Sequence, residues 1–244
     1  MTATRFRPLP ARDVAWRFLI AAAVLAVAGV ALALWVRSGI DAANARDLPI
    51  NTWFHDRADT PGVVRFVSSV VSWIGSGEHV VPIELTAVAL LLIVRRWRWA
   101  IFVFVTAMGG HALSNLTKHL VLRPRPPWFL LYPGQTATQF PSFPSGHTTA
   151  GMAGIMAIAI ALWFVLPRPW STVTGSIVAV IGLLQGPSRL FLAKHWVTDV
   201  IGGFLFGTAW LCLVWGAFLL WLAPRDGAVD DESVLASSDG ASTG

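Results

Sequence analysis

Apolar residues fall into six separate runs along this chain, and the charged residues gather between them. Residues 18–36 carry no charge, and a helix of that length crosses the hydrocarbon layer of a bilayer. Further runs follow at 80–94, 99–117, 147–166, 171–186 and 200–223. The second ends in Arg95-Arg96-Trp97-Arg98, an interfacial stop. The third stops at Lys118, and Pro167-Arg168-Pro169 makes a tight turn between the fourth and fifth. Residues 124–144 hold six prolines and are read as a loop. Residues 38–76 mix Asp41, Asp47, Asp56 and Asp59 with Arg46, Arg57 and Arg65. There, 51–54 and 63–74 are read as short surface helices within an outer loop, and no part of it as a span.

The pattern predicts an all-α integral membrane protein, six transmembrane helices in a bundle. A basic start before an apolar run also fits a cleaved signal peptide. The run is too long for one, and Trp35-Val36-Arg37 lacks the small residues of a cleavage site. The expected layout is a basic N-terminal segment at 1–17, a six-span domain at 18–223 and a disordered, cytoplasmic polar tail at 224–244. Six spans place both termini on one side, together with Arg5, Arg7, Arg12, Arg17, Arg95, Arg96, Arg98, Arg168 and Arg225. The positive-inside rule makes that side the cytoplasm of an inner, plasma membrane.

Composition agrees. Only 13% of the 244 residues are charged, against about 25% in a soluble domain. The arginines lie scattered at the ends of apolar runs, which fits lipid head groups and excludes a nucleic-acid groove. The one cysteine, Cys212, lies within an apolar run, so no intrachain disulfide forms.

Three polar clusters lie where runs end or begin, all on the predicted outer face. The first is Lys118, six residues, then Arg125-Pro126; the second is Pro144-Ser145-Gly146-His147. The third is Ser188-Arg189, five residues, His195, three residues, Asp199. In order and spacing they resemble the signature of the type 2 phosphatidic acid phosphatase superfamily, K-x6-R-P, P-S-G-H and S-R-x5-H-x3-D. The resemblance implies a membrane phosphatase in which His195 attacks phosphorus to give a phosphohistidine that water then hydrolyses.

The residue chemistry is consistent with this. A phosphate monoester carries about two negative charges. Lys118, Arg125 and Arg189 supply donors to replace its water, the arginines as bidentate forks. Ser145 and Gly146 open a helix whose free N–H groups favour an anion. His195 and Asp199, four apart, share one helical face if the sixth span starts early. A carboxylate that fixes one imidazole nitrogen leaves the other with a nucleophilic lone pair. His147 is then available to protonate the leaving oxygen. With Asp199 engaged by His195, no carboxylate cage remains, so neither metal nor cofactor is expected.

Taken singly, Lys118, Arg125 and Arg189 read as interfacial anchors; together with two histidines and an aspartate in one ordered signature they read as a site. Arg123, Glu78 and Glu84 are secondary candidates, the two glutamates at the pocket's edge. His111 is read as an interhelical histidine, Gly203-x-x-x-Gly207 as close helix packing, and the tryptophans as interfacial belts. The expected substrate is a lipid phosphate or pyrophosphate of the outer leaflet: polyprenyl pyrophosphate, phosphatidylglycerol phosphate or phosphatidic acid. A lipid phosphotransferase using the same intermediate and a non-catalytic anion or lipid transporter are the alternatives.

Overall fold

A computed structural model describes residues 7–10, 12–129 and 140–222. The expectations for Arg5, Arg225 and the 224–244 tail lie outside the described residues. Eight helices are described: α1 Arg12–Ser38, α2 Ile40–Ala58, α3 Val63–Ile74, α4 Gly77–Ile93, α5 Trp97–Val121, α6 Gly146–Val165, α7 Trp170–Phe191 and α8 Val197–Leu222. Among the described residues, α1, α5, α6, α7 and α8 are each long and apolar enough to cross a bilayer.

The second predicted span differs in form. Helix α4 has 17 residues, short of the roughly 20 needed to cross. It meets α3 at a bend of 61°, and the two together pass the same test of length and apolarity. Residues 63–74, expected as a detached surface helix, are therefore the first limb of a bent apolar pair. Helix α2 is the larger departure: 19 residues in place of a short surface helix at 51–54. Its buried stripe is Ala43, Asp47, Asn51 and Ala58, at helical spacing, with polar residues at two of the four positions. A hydropathy reading is blind to such a face, because it detects helices by apolar periodicity.

The bundle is built around α6, whose span window is the most enclosed of the five. Helices α6 and α8 cross closely because α8 lacks side chains there. A Cβ on Gly203 would lie 2.6 Å from Thr148, and one on Gly207 2.8 Å from Met152, so the small-residue pair packs as predicted. The crossing brings the start of α6, with His147, beside the start of α8, with Asp199. Helix α1 lies along α8, with Leu19 filling the space over Gly216. Its other face exposes Ile20, Val24, Val27, Val30 and Leu34 at helical spacing, which suits contact with lipid tails.

The two ends of the bundle are chemically unlike. At one end Arg7 donates to Thr172 at 2.6 Å and lies over Trp163, while Leu9 shares a surface pocket with Arg95, Arg98 and Leu222. Just inside it Trp99, Phe102, Phe164, Trp215 and Phe218 stack into one aromatic cluster. Trp215 and Trp196 are buried, so the tryptophans are not purely an interfacial belt: these two fill interior space that large rings pack well. The opposite end carries the three polar clusters.

Candidate active site

Helix α5 ends at Leu122 in a left-handed conformation, φ 56°. Prolines 124 and 126 keep the chain extended beyond it. This geometry puts Lys118, Arg123 and Arg125 in different places. Lys118 Nζ donates to the Pro141 carbonyl at 3.2 Å. It also borders the start of α6, where a Cβ built on Gly146 would lie 3.8 Å from Lys118 Cε and 3.8 Å from Ser114 Oγ. Ser114 Oγ is buried there without a hydrogen-bond partner. Gly146 thus leaves an open face where an ammonium and the first N–H groups of a helix converge, an anion-binding arrangement.

Arg125 reaches the other histidine. Its Nη1 lies 3.2 Å from His195 Nε2 and 3.1 Å from the Lys194 carbonyl, and Nε donates to the Phe140 carbonyl at 3.2 Å. The face of its guanidinium stacks on Phe129.

Between helices α7 and α8 the chain turns through Ala193 at φ 51°. That turn delivers Lys194 and His195 back over the site. His195 Nδ1 is 3.2 Å from Asp199 Oδ2, but not from one helical face as expected: α8 begins at Val197, and His195 lies in the turn before it, folded back onto the first turn of the helix. The same oxygen accepts from Trp196 N at 3.0 Å and from Ser142 Oγ, which also sits 3.3 Å from His195 Nδ1. Burial, followed by the positive charge of Arg125 and Arg189, holds the His195 pKa well below the ordinary imidazole value. The ring therefore stays neutral, with Nε2 carrying the free lone pair when Asp199 holds Nδ1–H.

Arg123, a secondary candidate from sequence, is fully buried. Nε donates to Asn44 Oδ1 at 2.9 Å and Nη2 to Asp47 Oδ2 at 2.9 Å. Nη1 donates to Thr198 Oγ1 at 2.6 Å and Asp199 Oδ1 at 2.9 Å. All three of its nitrogens are engaged by protein acceptors. Asp47 also takes Thr198 Oγ1 at 2.5 Å, and Asn51 Nδ2 donates to the His195 carbonyl at 2.7 Å. Helix α2 thus clamps the segment bearing His195 and Asp199, through Asn44, Asp47 and Asn51, which sequence reasoning missed. The signal was their helical spacing, hidden by their polarity.

His147 and Arg189 meet on α3. His147 Nε2 lies 3.0 Å from the Ser72 carbonyl, and Arg189 Nη1 donates to Ser72 Oγ. Arg189 is buried, and its Nε has no hydrogen-bond partner. A cavity of about 680 Å³ opens from this point, lined by Ser72, His147, Arg189 and Lys194 within and by Arg65 and Glu78 further out. Glu78 reaches it as expected. Glu84 does not: two turns further along α4, it is fully buried against His111 of α5, with His111 Nε2 2.8 Å from Glu84 Oε2. Glu84 is thus removed from the pocket edge expected for it, and His111 takes its predicted interhelical role. Among the described residues, no group of three or more His, Cys, Asp or Glu side chains is placed to hold a metal ion.

A multi-pass helical membrane protein, with cations and two histidines gathered at one end of the bundle, defines the class. The family model described as the PAP2 superfamily matches residues 98–221, and the chain belongs to that superfamily. It is 34% identical over 138 residues to an undecaprenyl-diphosphatase of Sulfolobus acidocaldarius, covering 54% of this chain and 61% of that one. It is 29% identical over 153 residues to phosphatidylglycerophosphatase B of Bacillus subtilis, covering 62% and 73%. A lipid A 1-phosphatase of Rhizobium johnstonii is 34% identical over 119 residues, 46% of this chain and 45% of its own. Against the first and last of these, the chain therefore spans less than two thirds of the relative's length. The crystal structure of a transmembrane PAP2-type phosphatidylglycerolphosphate phosphatase from Bacillus subtilis superposes with a TM-score of 0.64 at 25% identity. The match covers 80% of this chain and 94% of that one.

Proposed function

We propose that this chain is a membrane-embedded phosphatase that removes phosphate from a lipid phosphate or diphosphate at the outer leaflet, through a phosphohistidine. The observation that carries the reading is the pair of contacts on His195: Asp199 on Nδ1 and Arg125 on Nε2. One nitrogen is fixed and the other is aimed, with Lys118 and Arg189 close enough to depress its protonation.

Arg125 lies across the line of attack. An incoming phosphoryl oxygen takes over the guanidinium N–H and uncovers the Nε2 lone pair, so substrate binding itself arms the nucleophile. Nε2 then bonds to phosphorus as the P–O bond to the leaving group breaks. Lys118, Arg125, Arg189 and the N–H groups opening α6 take the charge on the remaining phosphoryl oxygens. His147 directs Nε2 to the Ser72 carbonyl, so in its charged form Nδ1–H faces the leaving oxygen and passes its proton there. In the second step neutral His147 takes a proton from water, which attacks phosphorus and releases His195 and inorganic phosphate. The phosphoryl group meets cations and no carboxylate cage, so turnover without added metal is part of the proposal. The outer-leaflet placement rests on Arg95, Arg98 and Arg168 collecting at the opposite end of the protein.

The test is phosphate release from a panel of lipid phosphates and diphosphates in detergent, with EDTA present and without an added acceptor alcohol. Stoichiometric release, inhibited by vanadate and lost in His195→Ala, is the expected result. A purified protein that releases no phosphate from any member of the panel overturns the reading.

A further inference from the structure

Five cations border the site or its cavity: Lys118, Arg125, Arg189, Lys194 and Arg65. Arg65 is neutralised by Asp59, with Nη1 2.7 Å from Oδ1. The remaining four form no ion pair with a carboxylate among the described residues. Arg123 does not add to them, being held between Asp47 and Asp199. Three cations already suffice for the about two charges of a terminal phosphoryl group. The fourth, Lys194, lies outside the three-motif signature, occupying the last variable position before His195.

Its place is fixed from both sides. The Lys194 N–H donates to the Arg189 carbonyl at 2.9 Å, and its carbonyl accepts from Arg125 Nη1 at 3.1 Å. The side chain is thus rooted between the two phosphate-binding arginines and lines the same cavity as Arg189 and His147. Burial, followed by the charges of Arg189, Arg125 and Arg65, pulls its pKa below the ordinary lysine value. Among the described residues no carboxylate pairs with Lys194, and a ligand anion would compensate its charge. Arg189, which lines the same cavity, has its Nε buried without a hydrogen-bond partner.

We infer that Lys194 and Arg189 form a second anion subsite next to the reacting phosphoryl group, and that it holds the retained phosphoryl unit of a lipid diphosphate. The inference rests on the proposed phosphatase reading and narrows its substrate class. A monophosphate presents only an uncharged alkyl oxygen there. A diphosphate presents a charged phosphoryl group, which Lys194 binds in the ground state and whose growing charge it neutralises as that group departs.

The experiment compares a lipid diphosphate with the monophosphate of the same prenyl tail, using the full chain in detergent, and titrates inorganic pyrophosphate and phosphate calorimetrically. Lys194→Met is expected to lower kcat/KM for the diphosphate about tenfold more than for the monophosphate, the effect of one charge-assisted hydrogen bond. Lys194→Arg is expected to restore the diphosphate preference. In binding, the unsubstituted protein takes pyrophosphate more tightly than phosphate, and Lys194→Met collapses that ratio. Equal losses on the two lipids, or an unchanged binding ratio, overturn the subsite. If the unsubstituted protein hydrolyses neither of these lipids nor any other member of the panel, the phosphatase reading fails, and the calorimetric ratio still decides the subsite.

Discussion

Arg123 Nη1 lies 2.9 Å from Asp199 Oδ1, while the other oxygen of that carboxylate faces His195 Nδ1. The carboxylate that holds His195, the proposed nucleophile, is therefore itself oriented, from the opposite side, by a fully buried guanidinium. Arg123 also carries Asp47, so one cation holds two carboxylates away from water. Arg123→Met leaves both unpaired, and breaking a buried pair in this way costs about 3–5 kcal/mol. A large drop in thermal stability in detergent, with turnover lost, is expected. Arg123→Lys, which lacks the fork, is expected to recover part of the stability and little of the turnover. A fully active Arg123→Met would remove the residue from this role.

His195→Ala is expected to abolish turnover and the trapping of radiolabelled phosphate on the protein after an acid-free quench. His147→Ala is expected to slow substrates with poor leaving groups far more than activated aryl phosphates, because only the former need a proton. General-acid work typically contributes about a hundredfold or more. The same loss on both substrates would rule out that role for His147.

The pH dependence follows from His195. Its protonation would add charge to a buried site already rich in cations, so its pKa is depressed in the folded protein. The unfolded chain therefore binds more protons below about pH 6.5, and the stability contributed by neutral His195 is lost as pH falls below that value. Nitrogen-15 imidazole shifts should show His195 titrating well below 6.5, and titrating higher in Arg125→Gln. A value at or above 6.5 in the unsubstituted protein would contradict the burial argument.

Glu84 and His111 make a different prediction. They lie within the bundle, away from the cavity, and Gly154 of α6 packs directly on the Glu84 carboxyl. Gly154→Ala inserts a methyl group where the carboxyl stands. Both Gly154→Ala and Glu84→Ala are expected to lower stability by about 1–3 kcal/mol. Their kcat/KM should fall much less than that of Arg125→Gln. A kinetic loss as large as that from Arg125→Gln, at unchanged stability, would place the pair in the catalytic machinery.

How much of this was legible in the sequence depended on which signal each element carried. Helices α1, α5, α6, α7 and α8 announced themselves by uninterrupted apolar runs. The His195–Asp199 pair was visible through the ordered motif that carries both residues, although His195 reaches Asp199 from the turn before α8 and not along the helix. The Gly203–Gly207 crossing was visible because only small residues permit it. Helix α2 was hidden because its inward face, Asn44, Asp47 and Asn51, is polar and satisfied by partners 75 or more residues away in sequence. Ser72 and Ser142 were hidden for a related reason: a serine in an ordinary loop or helix carries no spacing that marks its partner. Arg123 was seen as a candidate, but its partners were not, since ion pairs between distant elements leave no local trace.

Ser72 ties two parts of the site together. Its carbonyl faces His147 and its hydroxyl accepts from Arg189, so one residue on the outer limb of a bent helix pair grips both. The proposed proton donor and the proposed anion clamp thereby share one anchor. Any displacement of α3 would therefore alter the surroundings of His147 and Arg189 together and not one at a time.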